Sequence, residues 1–205
     1  MIRRNRPNRK RPVSNGVRKI ILASVSPWRK KILSRAGIKF STEESGYEEN
    51  MSLDLPPRSL ARHLALGKAK AAAARHKNAL IIGADTFIVF RGALLGKPHT
   101  PPRAIAMLKR LSGHTHTILT GYAIVDSKIG RHVTRTIGTR VTFRKLPLSE
   151  IREYVRSGEP LKAAGAYVIQ GQGSKLINKT EGDVNNSAGL PLEALMKDLR
   201  RFKRL

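Results

Sequence analysis

Two charged side chains stand at positions where the surrounding pattern predicts burial. Asp85 interrupts an apolar run from Ala79 to Phe90, and Lys68 falls on the same helical face as Leu64. An unpaired carboxylate inside a core strand is energetically costly. We therefore expect Asp85 to lie at a strand end or bulge that faces a cleft, where a metal ion or a lysine compensates its charge. The alternative is a structural aspartate that accepts backbone hydrogen bonds at a strand break.

A second group of residues is typical of an anion site. Residues 20–23 predict a short buried strand, and Pro27 is favoured in the first turn of the helix that follows. Ser24 or Ser26 would cap that helix. Backbone N–H groups, two hydroxyls and the positive end of the helix dipole would then lie beside the cations at residues 29–31, which suits a phosphate. A capped helix with solvated cations is the alternative.

Further charged residues could complete such a site. Four of the chain's 14 acids stand in one short stretch: Glu43, Glu44, Glu48 and Glu49. One of them could help to hold a divalent cation, although a solvated charge cluster would give the same pattern. Lys97 stands in a constrained Gly-Lys-Pro loop that is expected to aim another cation near Asp85.

Apolar periodicity and turn residues predict the elements that would position these side chains. Helices are predicted at residues 27–36, 56–75, 101–111, 149–155 and 190–202. Strands are predicted at residues 20–23, 38–41 and 79–90, and residues 116–125 and 131–143 are predicted to form an antiparallel hairpin. The glycine-rich residues 165–173 could let the backbone approach a ligand.

Length and composition limit the class of protein. A chain of 205 residues can bury one substantial core, or one core split into two lobes around a cleft, and it has no cysteine for disulfides. No apolar run approaches the roughly 18 residues that a membrane span requires. We therefore expect a soluble cytoplasmic protein without a membrane partner.

The formal net charge of +26 makes nucleic acid a possible partner. Residues 1–18 contain no acid and are expected to form a basic, disordered arm, with residues 19–205 as a single catalytic domain. The aromatic residues are scattered and do not alternate with the charges, as a base-stacking surface would require. A positive field would also steer a small polyanionic substrate into a cleft, so charge alone does not separate the two hypotheses.

The order of the motifs resembles the Maf family of nucleoside triphosphate pyrophosphatases from about Lys19 to Leu199. The family's opening pattern corresponds to residues 22–29, its A-D-T to residues 84–86 and its G-K-P to residues 96–98. Later elements also match: L-S-G at 111–113, His116, T-G at 120–121, and S-G-E-P, A-G-A-Y, I-Q-G, E-G-D and G-L-P-L between Ser157 and Leu192.

The resemblance implies an α/β fold with a mixed, elongated, twisted sheet flanked by helices, two lobes around a central cleft, and a possible homodimer. It also implies that water attacks the α-phosphorus of a nucleoside triphosphate with the help of Mg²⁺ or Mn²⁺. Asp85 would be the general base or a metal ligand, and Glu49 would help to hold the metal. The remaining roles implied are phosphate binding and charge compensation by Arg29, Lys68 and Lys97, and hydrogen bonds to the triphosphate from Ser24 and Ser26.

Three positions bear on the nucleobase. Trp28 replaces the family's first arginine of S-P-R-R and resembles the branch that acts on 7-methyl-GTP, because an indole can stack on a cationic base. Thr86 and Gln170 resemble the branch that acts on dTTP, UTP and modified pyrimidine nucleotides. Two of the three positions therefore favour pyrimidines. A nucleic-acid-associated protein on the same fold, binding through the basic arm, is the hypothesis from a different class.

Overall fold

The computed structural model describes residues 18–50 and 52–203. Its strands are β1 (Lys19–Ala23), β2 (Ser41–Glu43), β3 (Ala79–Phe90), β4 (Ala93–Leu95), β5 (Thr115–Asp126), β6 (His132–Phe143) and β7 (Ile177–Glu181). Its α-helices are α1 (Pro27–Arg35), α2 (Pro57–Ala73), α3 (Pro101–Leu111), α4 (Leu148–Arg156), α5 (Val184–Ser187) and α6 (Leu192–Lys203). The predicted basic arm, apart from Arg18, lies outside the described residues.

The strands form one mixed sheet in the order β2-β1-β3-β5-β6-β7, with β4 attached to β3. β1 pairs in parallel with β2 and β3, whereas β3, β5, β6 and β7 are successively antiparallel. This arrangement confirms the predicted mixed sheet and the predicted hairpin, which forms between β5 and β6. No described helix combines the length and apolar character needed to cross a membrane.

Helix α2 packs unusually close to the centre of the sheet. A β-carbon on Gly83 would lie 2.3 Å from the carbonyl oxygen of Ala65, and one on Gly121 would lie 2.1 Å from that of Ala61. Any side chain at these two glycines would therefore push the helix away. The close contact fixes how far the side chains of α2 reach across the sheet.

Two parts of the hydrophobic core lie on either side of the sheet's midpoint. One contains α3, α4 and the 3₁₀ turns between residues 159 and 176, which pack on the distal parts of β3, β5 and β6. The other contains α1 and α6, which pack against β1, β3 and β5. A cleft can form between these two parts of the core, near the middle of β3 and β5.

Several predicted boundaries differ from the observed ones by one to three residues, and two of the differences have a physical reason. The strand predicted at residues 38–41 is displaced to β2, because Ile38 and Phe40 pack into the cluster beneath α1 and α6. The helix predicted to be capped by Ser149 begins at Leu148 and has Pro147 at its N-cap position, with no side-chain cap. Proline is accepted there because the N–H that it lacks would have no helical partner.

Candidate active site

The candidate site lies where one edge of β3 has no neighbouring strand. β5 pairs with residues 80–89 of β3, but on the other edge β1 pairs with residues 79–82 and β4 with residues 88–90. Within the described part of the chain, no strand pairs with residues 83–87 on that edge. Asp85 and Thr86 lie in this gap and, as consecutive strand residues, point to opposite faces of the sheet. A ligand lying across the edge could contact both faces.

On the α2 face, one ammonium group joins two carboxylates. Lys68 Nζ lies 2.6 Å from Asp85 Oδ1 and 2.8 Å from Glu49 Oε1. Asp85 is 7% exposed and Lys68 is 8% exposed, so their attraction is only weakly screened by water. The predicted compensation of Asp85 by a lysine is confirmed. The predicted strand end or bulge is wrong, because Asp85 pairs with Gly121 in the middle of β3 and Lys68 supplies the compensation that a break would have given.

The loop that carries Glu49 is anchored to α2 by an aromatic ring. The ring of Tyr47 covers Gly67 so closely that a β-carbon there would lie 2.3 Å from it. The Tyr47 hydroxyl also lies 3.3 Å from Nε2 of His63, one turn earlier on the same helix. Because Gly67 precedes Lys68, this contact holds the Glu49 loop beside the ammonium group.

On the opposite face, Arg29 is fixed by three acceptors. Its Nε donates to the carbonyl of Gly189 at 2.9 Å, Nη1 to Ser24 Oγ at 3.3 Å and Nη2 to Thr86 Oγ1 at 3.2 Å. Burial lowers the pKa of Arg29, while the negative charges of Asp85 and Glu49 raise it. The guanidinium is therefore a positioned cation at the open edge of β3, and an arginine keeps its charge under ordinary conditions.

The start of α1 has the geometry expected of an anion site. Ser26 is the N-cap residue, and its Oγ accepts a hydrogen bond from the Arg29 N–H at 3.5 Å. Ser24 Oγ accepts from the Ser26 N–H at 3.2 Å. The sequence left the cap open between the two serines, and the structure assigns it to Ser26. Both hydroxyls lie at the positive end of the helix, and that of Ser24 also contacts the Arg29 guanidinium.

A cavity of about 270 Å³ opens beside Arg29. Trp28, Thr86 and Gln170, the three positions predicted to bear on the nucleobase, all contribute to its wall. Its other walls are formed by Ser26, Arg29, Ile88, Ile118, Tyr167, Ser187 and the neighbours of these residues. The cavity thus receives residues from both parts of the core, and it combines polar groups with an apolar floor, as small-molecule sites do.

Lys97 is the predicted site residue that the structure places least definitely. It is exposed in the loop after β4, and the described residues give it no hydrogen bond or ion pair. The loop itself is held to the 3₁₀ turn at Ala164–Ala166 by a 3.1 Å bond from the Gly165 N–H to the Gly96 carbonyl. The role of Lys97 in phosphate binding remains a prediction.

The glycine-rich segment surrounds a carboxylate of the chain itself. Glu159 accepts hydrogen bonds from the Gln172 N–H at 3.1 Å, the Gly173 N–H at 3.2 Å and the Tyr154 hydroxyl at 2.7 Å. A β-carbon on Gly171 would lie 2.5 Å from the same carboxylate. The glycines therefore allow the backbone that follows Gln170 in the sequence to approach Glu159.

Sequence reasoning missed three polar residues of the cavity, Lys162, Tyr167 and Ser187. The Ser187 hydroxyl is buried and has no hydrogen-bond partner among the described residues. The Tyr167 hydroxyl is bonded to His116 Nε2 at 2.7 Å, and burial raises the pKa of Tyr167 well above its ordinary value. The A-G-A-Y motif includes Tyr167. The residues around it show neither helical nor strand periodicity that would indicate a place in the cavity wall.

The donor set fits a magnesium-type ion only with the help of a ligand. Asp85 and Glu49 supply carboxylate oxygens within reach of one ammonium group. No group of three or more His, Cys, Asp or Glu side chains among the described residues is placed to hold a metal on its own. Mg²⁺ is commonly bound by one or two carboxylates together with substrate phosphates, which is the arrangement that these residues could complete.

Comparison with known proteins identifies the family of the chain. The Maf-like protein family matches residues 19–202. The chain therefore belongs to the Maf-like family, and the resemblance noted from its motifs is confirmed.

Two relatives illustrate the likeness. The protein named dTTP/UTP pyrophosphatase of Moorella thermoacetica is 47% identical over 85% of this chain and 90% of its own length. The protein of the same name from Bacillus mycoides is 42% identical over 91% of this chain and 96% of its own. A solved HAM1 protein from Coxiella burnetii shares the fold: it covers 90% of this chain and 100% of its own, with a TM-score of 0.50 and 15% identity.

Proposed function

We propose that this protein is a nucleoside triphosphate pyrophosphatase that converts dTTP and UTP to the monophosphate and pyrophosphate. The observation that carries the proposal is the bridge from Lys68 to Asp85 and Glu49, which lies across the open edge of β3 from Arg29 and its cavity. Relatives that are 40–47% identical over most of the chain are named for this activity.

The two faces of the open edge suit two parts of one substrate. The cavity walled by Trp28, Thr86 and Gln170 would receive the base, and the N-terminus of α1 with Arg29, Ser24 and Ser26 would receive phosphate oxygens. The triphosphate would then cross the edge of β3 toward Lys68 and Asp85. This path would place the α-phosphorus between the two groups of charged residues.

Hydrolysis at this position would need a positioned water and compensation of the leaving group. The oxygen of the water would form a bond to the α-phosphorus, and the bond from that phosphorus to the oxygen that bridges it to the β-phosphorus would break. Asp85 would orient the water or accept its proton. Lys68, Lys97 and Arg29 would offset the charge that develops on the departing pyrophosphate. Mg²⁺ or Mn²⁺, held by Asp85, Glu49 and the phosphates, would supply further charge neutralisation.

Two features of the cavity support pyrimidines over a cationic purine as the proposed base. Gln170 carries both an amide donor and an acceptor, which can pair with the edge of uracil or thymine. Lys31 Nζ already lies 5.7 Å from the centre of the Trp28 ring. A 7-methylguanine stacked on the same indole would bring a second positive charge near that ammonium group, which weakens the cation–π argument for 7-methyl-GTP.

The proposed hydrolysis of these nucleotides would take place in the cytoplasm.

Pyrophosphate release from a nucleotide panel tests the proposal. The panel contains dTTP, UTP, 5-methyl-UTP, pseudo-UTP, CTP, GTP and 7-methyl-GTP, each with Mg²⁺ or Mn²⁺. We expect dTTP and UTP to be the best substrates. Preference for 7-methyl-GTP would assign base recognition to Trp28, and absence of hydrolysis of every nucleotide would refute the enzymatic proposal.

The matched variants are Asp85→Asn and Asp54→Asn. We expect Asp85→Asn to lower kcat by on the order of 10²–10³-fold, because it removes the group that accepts or orients the proton of water. Asp54 is an exposed acid outside the site and its substitution should leave kcat unchanged. Circular dichroism and the melting temperature would establish that both variants fold.

A further inference from the structure

The proposed activity uses few of the chain's 40 lysines and arginines. Part of the remaining positive charge is concentrated at one end of the molecule. Residues 19–42 contain no acid, and α6 contributes one exposed acid, Glu193, against the exposed cations Lys197, Arg200 and Arg201. Helix α1, which lies within residues 19–42, and helix α6 pack on the same face of the sheet through one apolar cluster. Their outer faces thus form a continuous side of the molecule that carries mainly positive charge.

The topology places the most basic part of this side at the N-terminal end of β1. Lys19 of β1 pairs with Ala79, and the next residue of β3 pairs with Asp126 at the end of β5. Because α1 returns antiparallel to β1, its last residue, Arg35, lies at this end. The C-terminal end of α6 lies there too, because the Arg131 guanidinium of the β5–β6 turn is 5.3 Å from the ring centre of Phe202.

We name this surface the basic end and define it by five exposed side chains: Arg35, Lys39, Arg131, Arg200 and Arg201. The candidate active site lies at the other end of β1, after Ala23. The basic end is therefore separate from the residues that would bind a nucleoside triphosphate. Its charge is therefore available to a ligand other than the substrate of the cleft.

The two acids of this region are neutralised mainly by arginines outside the basic end, and Arg201 of the basic end also lies 3.6 Å from Asp198 Oδ1. Asp126 is paired with Arg18. Asp198 accepts two hydrogen bonds from Arg135, at 2.6 and 3.0 Å, and one from the Tyr122 hydroxyl at 2.9 Å. The hydrogen bonds from Arg135 hold the pKa of Asp198 below its usual value. The basic end therefore keeps its net positive charge, and Arg18 joins it directly to the basic sequence of residues 1–17.

We propose that the basic end binds the phosphodiester backbone of nucleic acid without sequence preference. A concentration of exposed arginines beside a basic chain terminus is the electrostatic pattern of backbone binding. Membrane binding would require several apolar groups to insert, and the exposed large apolar side chains of α1, α6 and the β5–β6 turn are Trp28 and Ile129 alone among the described residues. Trp28 lines the cleft and is not part of the basic end.

The test measures fluorescence anisotropy of a labelled 20-nucleotide RNA and a labelled 20-base-pair DNA against the full chain from 50 to 300 mM salt. The variant Arg35→Gln/Lys39→Gln/Arg200→Gln removes three charges from the basic end. The control variant Arg103→Gln/Lys109→Gln/Arg110→Gln removes three exposed charges from α3, in the other part of the core. Both variants change the net charge equally, so a general effect of charge weakens both alike.

We expect the wild type to bind both probes, with an affinity that falls steeply with salt. Each lost phosphate contact lowers the slope of log affinity against log salt by about 0.7–0.9, so the basic-end variant should lose roughly 2 to 3 from the slope while the α3 variant keeps it. Asp85→Asn should bind as the wild type does, and the basic-end variant should keep its rate of pyrophosphate release. These two controls separate this inference from the proposed enzymatic function.

Three results would overturn the inference. The first is no binding of either probe at 50 mM salt, including the case in which only vesicles of anionic phospholipid are bound. The second is an equal loss of affinity for the probes in the basic-end and α3 variants, which would mean that binding depends on the net charge of the protein. The third is loss of binding in Asp85→Asn, which would place the nucleic acid in the cleft.

Discussion

Lys68 determines the chemistry of the candidate site at the scale of single residues. Its ammonium group lies between a buried carboxylate, Asp85, and a carboxylate that is 43% exposed, Glu49. A phosphate entering the site would offer the same ammonium group new oxygen partners, and the two carboxylates would then be available to a cation. The resting ion pairs and the substrate-bound contacts would thus be alternative uses of the same three side chains.

Replacement of Lys68 by methionine tests how much this bridge stabilises the fold. Methionine keeps most of the aliphatic volume but leaves the Asp85 carboxylate buried without its partner. We expect the free energy of unfolding to fall by about 3 kcal/mol, the low end for a broken buried pair, because Glu49 can turn to water. Urea unfolding measures the loss.

Lys70→Met is the control for this experiment, because Lys70 is exposed on the same helix. Its substitution should change the stability by less than about 0.5 kcal/mol. Equal stability of the two variants would mean that the Lys68 bridge contributes no net stability.

The sequence predicted the importance of Asp85 and Lys68 but not the way in which they meet. Burial of each followed from the apolar pattern around it, which is a local property. Their ion pair depends on the close approach of α2 to β3, which the small residues Gly83 and Gly121 allow. Gly83 and Gly121 contact the backbone of α2, which is distant from them in sequence. The local apolar periodicity therefore did not indicate this contact.

At the scale of elements, the Glu49 loop and α2 behave as one unit because of a single aromatic contact. Gly67 lies in the middle of α2, where alanine would ordinarily stabilise a helix by up to about 1 kcal/mol. Here the added β-carbon would meet the Tyr47 ring at 2.3 Å. The ring, and with it Glu49, would have to move.

The variant Gly67→Ala should therefore lower hydrolysis through displacement of Glu49, with an expected loss of about tenfold in kcat and a higher Mg²⁺ requirement. In Tyr47→Ala/Gly67→Ala the clash is gone, so the double variant should be more stable than Tyr47→Ala alone by up to about 1 kcal/mol. Chemical unfolding and metal titration of activity give the two quantities. If Gly67→Ala had wild-type metal dependence, the loop would not depend on this contact.

The glycine-rich segment shows where local patterns do not determine a role. Its glycines predicted a backbone close to a ligand, and the close approach is real, but the group approached is the carboxylate of Glu159. Local sequence indicated where backbone had to be free of side chains. It did not indicate what would occupy the space, since Glu159 reaches the segment through a turn and two 3₁₀ helices.

For the whole molecule, the distribution of charge is uneven along the direction of β1. The end that carries the cleft contains the carboxylates Asp85 and Glu49, which are paired with Lys68, among its cations. The opposite end carries exposed cations without an exposed carboxylate, namely Arg35 at the end of α1 with Arg200 and Arg201 at the end of α6, and the junction with residues 1–17. Composition established the excess of positive charge, whereas its location required the topology that brings the ends of α1 and α6 together.

Acid stability depends on a histidine in the distal part of the core. His116 is 2% exposed, its Nε2 is bonded to the Tyr167 hydroxyl, and its ring meets Phe143 edge-on with centroids 5.0 Å apart. Burial lowers the pKa of His116 from 6.5 to about 4. Below pH 6.5 the unfolded chain therefore binds a proton that the folded chain does not accept until about pH 4.

This difference predicts a loss of stability on acidification. Above pH 6.5 the histidine is neutral in both states and has no effect on the pH dependence, and between pH 6.5 and 4 the free energy of unfolding should fall by up to about 3 kcal/mol because of this one group. In His116→Phe the same decline should be shallower by that amount, whatever the stability of the variant at neutral pH. His132→Phe, at an exposed position, should keep the wild-type slope. Urea unfolding of the three proteins at intervals between pH 4 and 7.5 measures the slopes, and parallel curves for wild type and His116→Phe would show that the buried imidazole takes up its proton without unfolding the core around Tyr167.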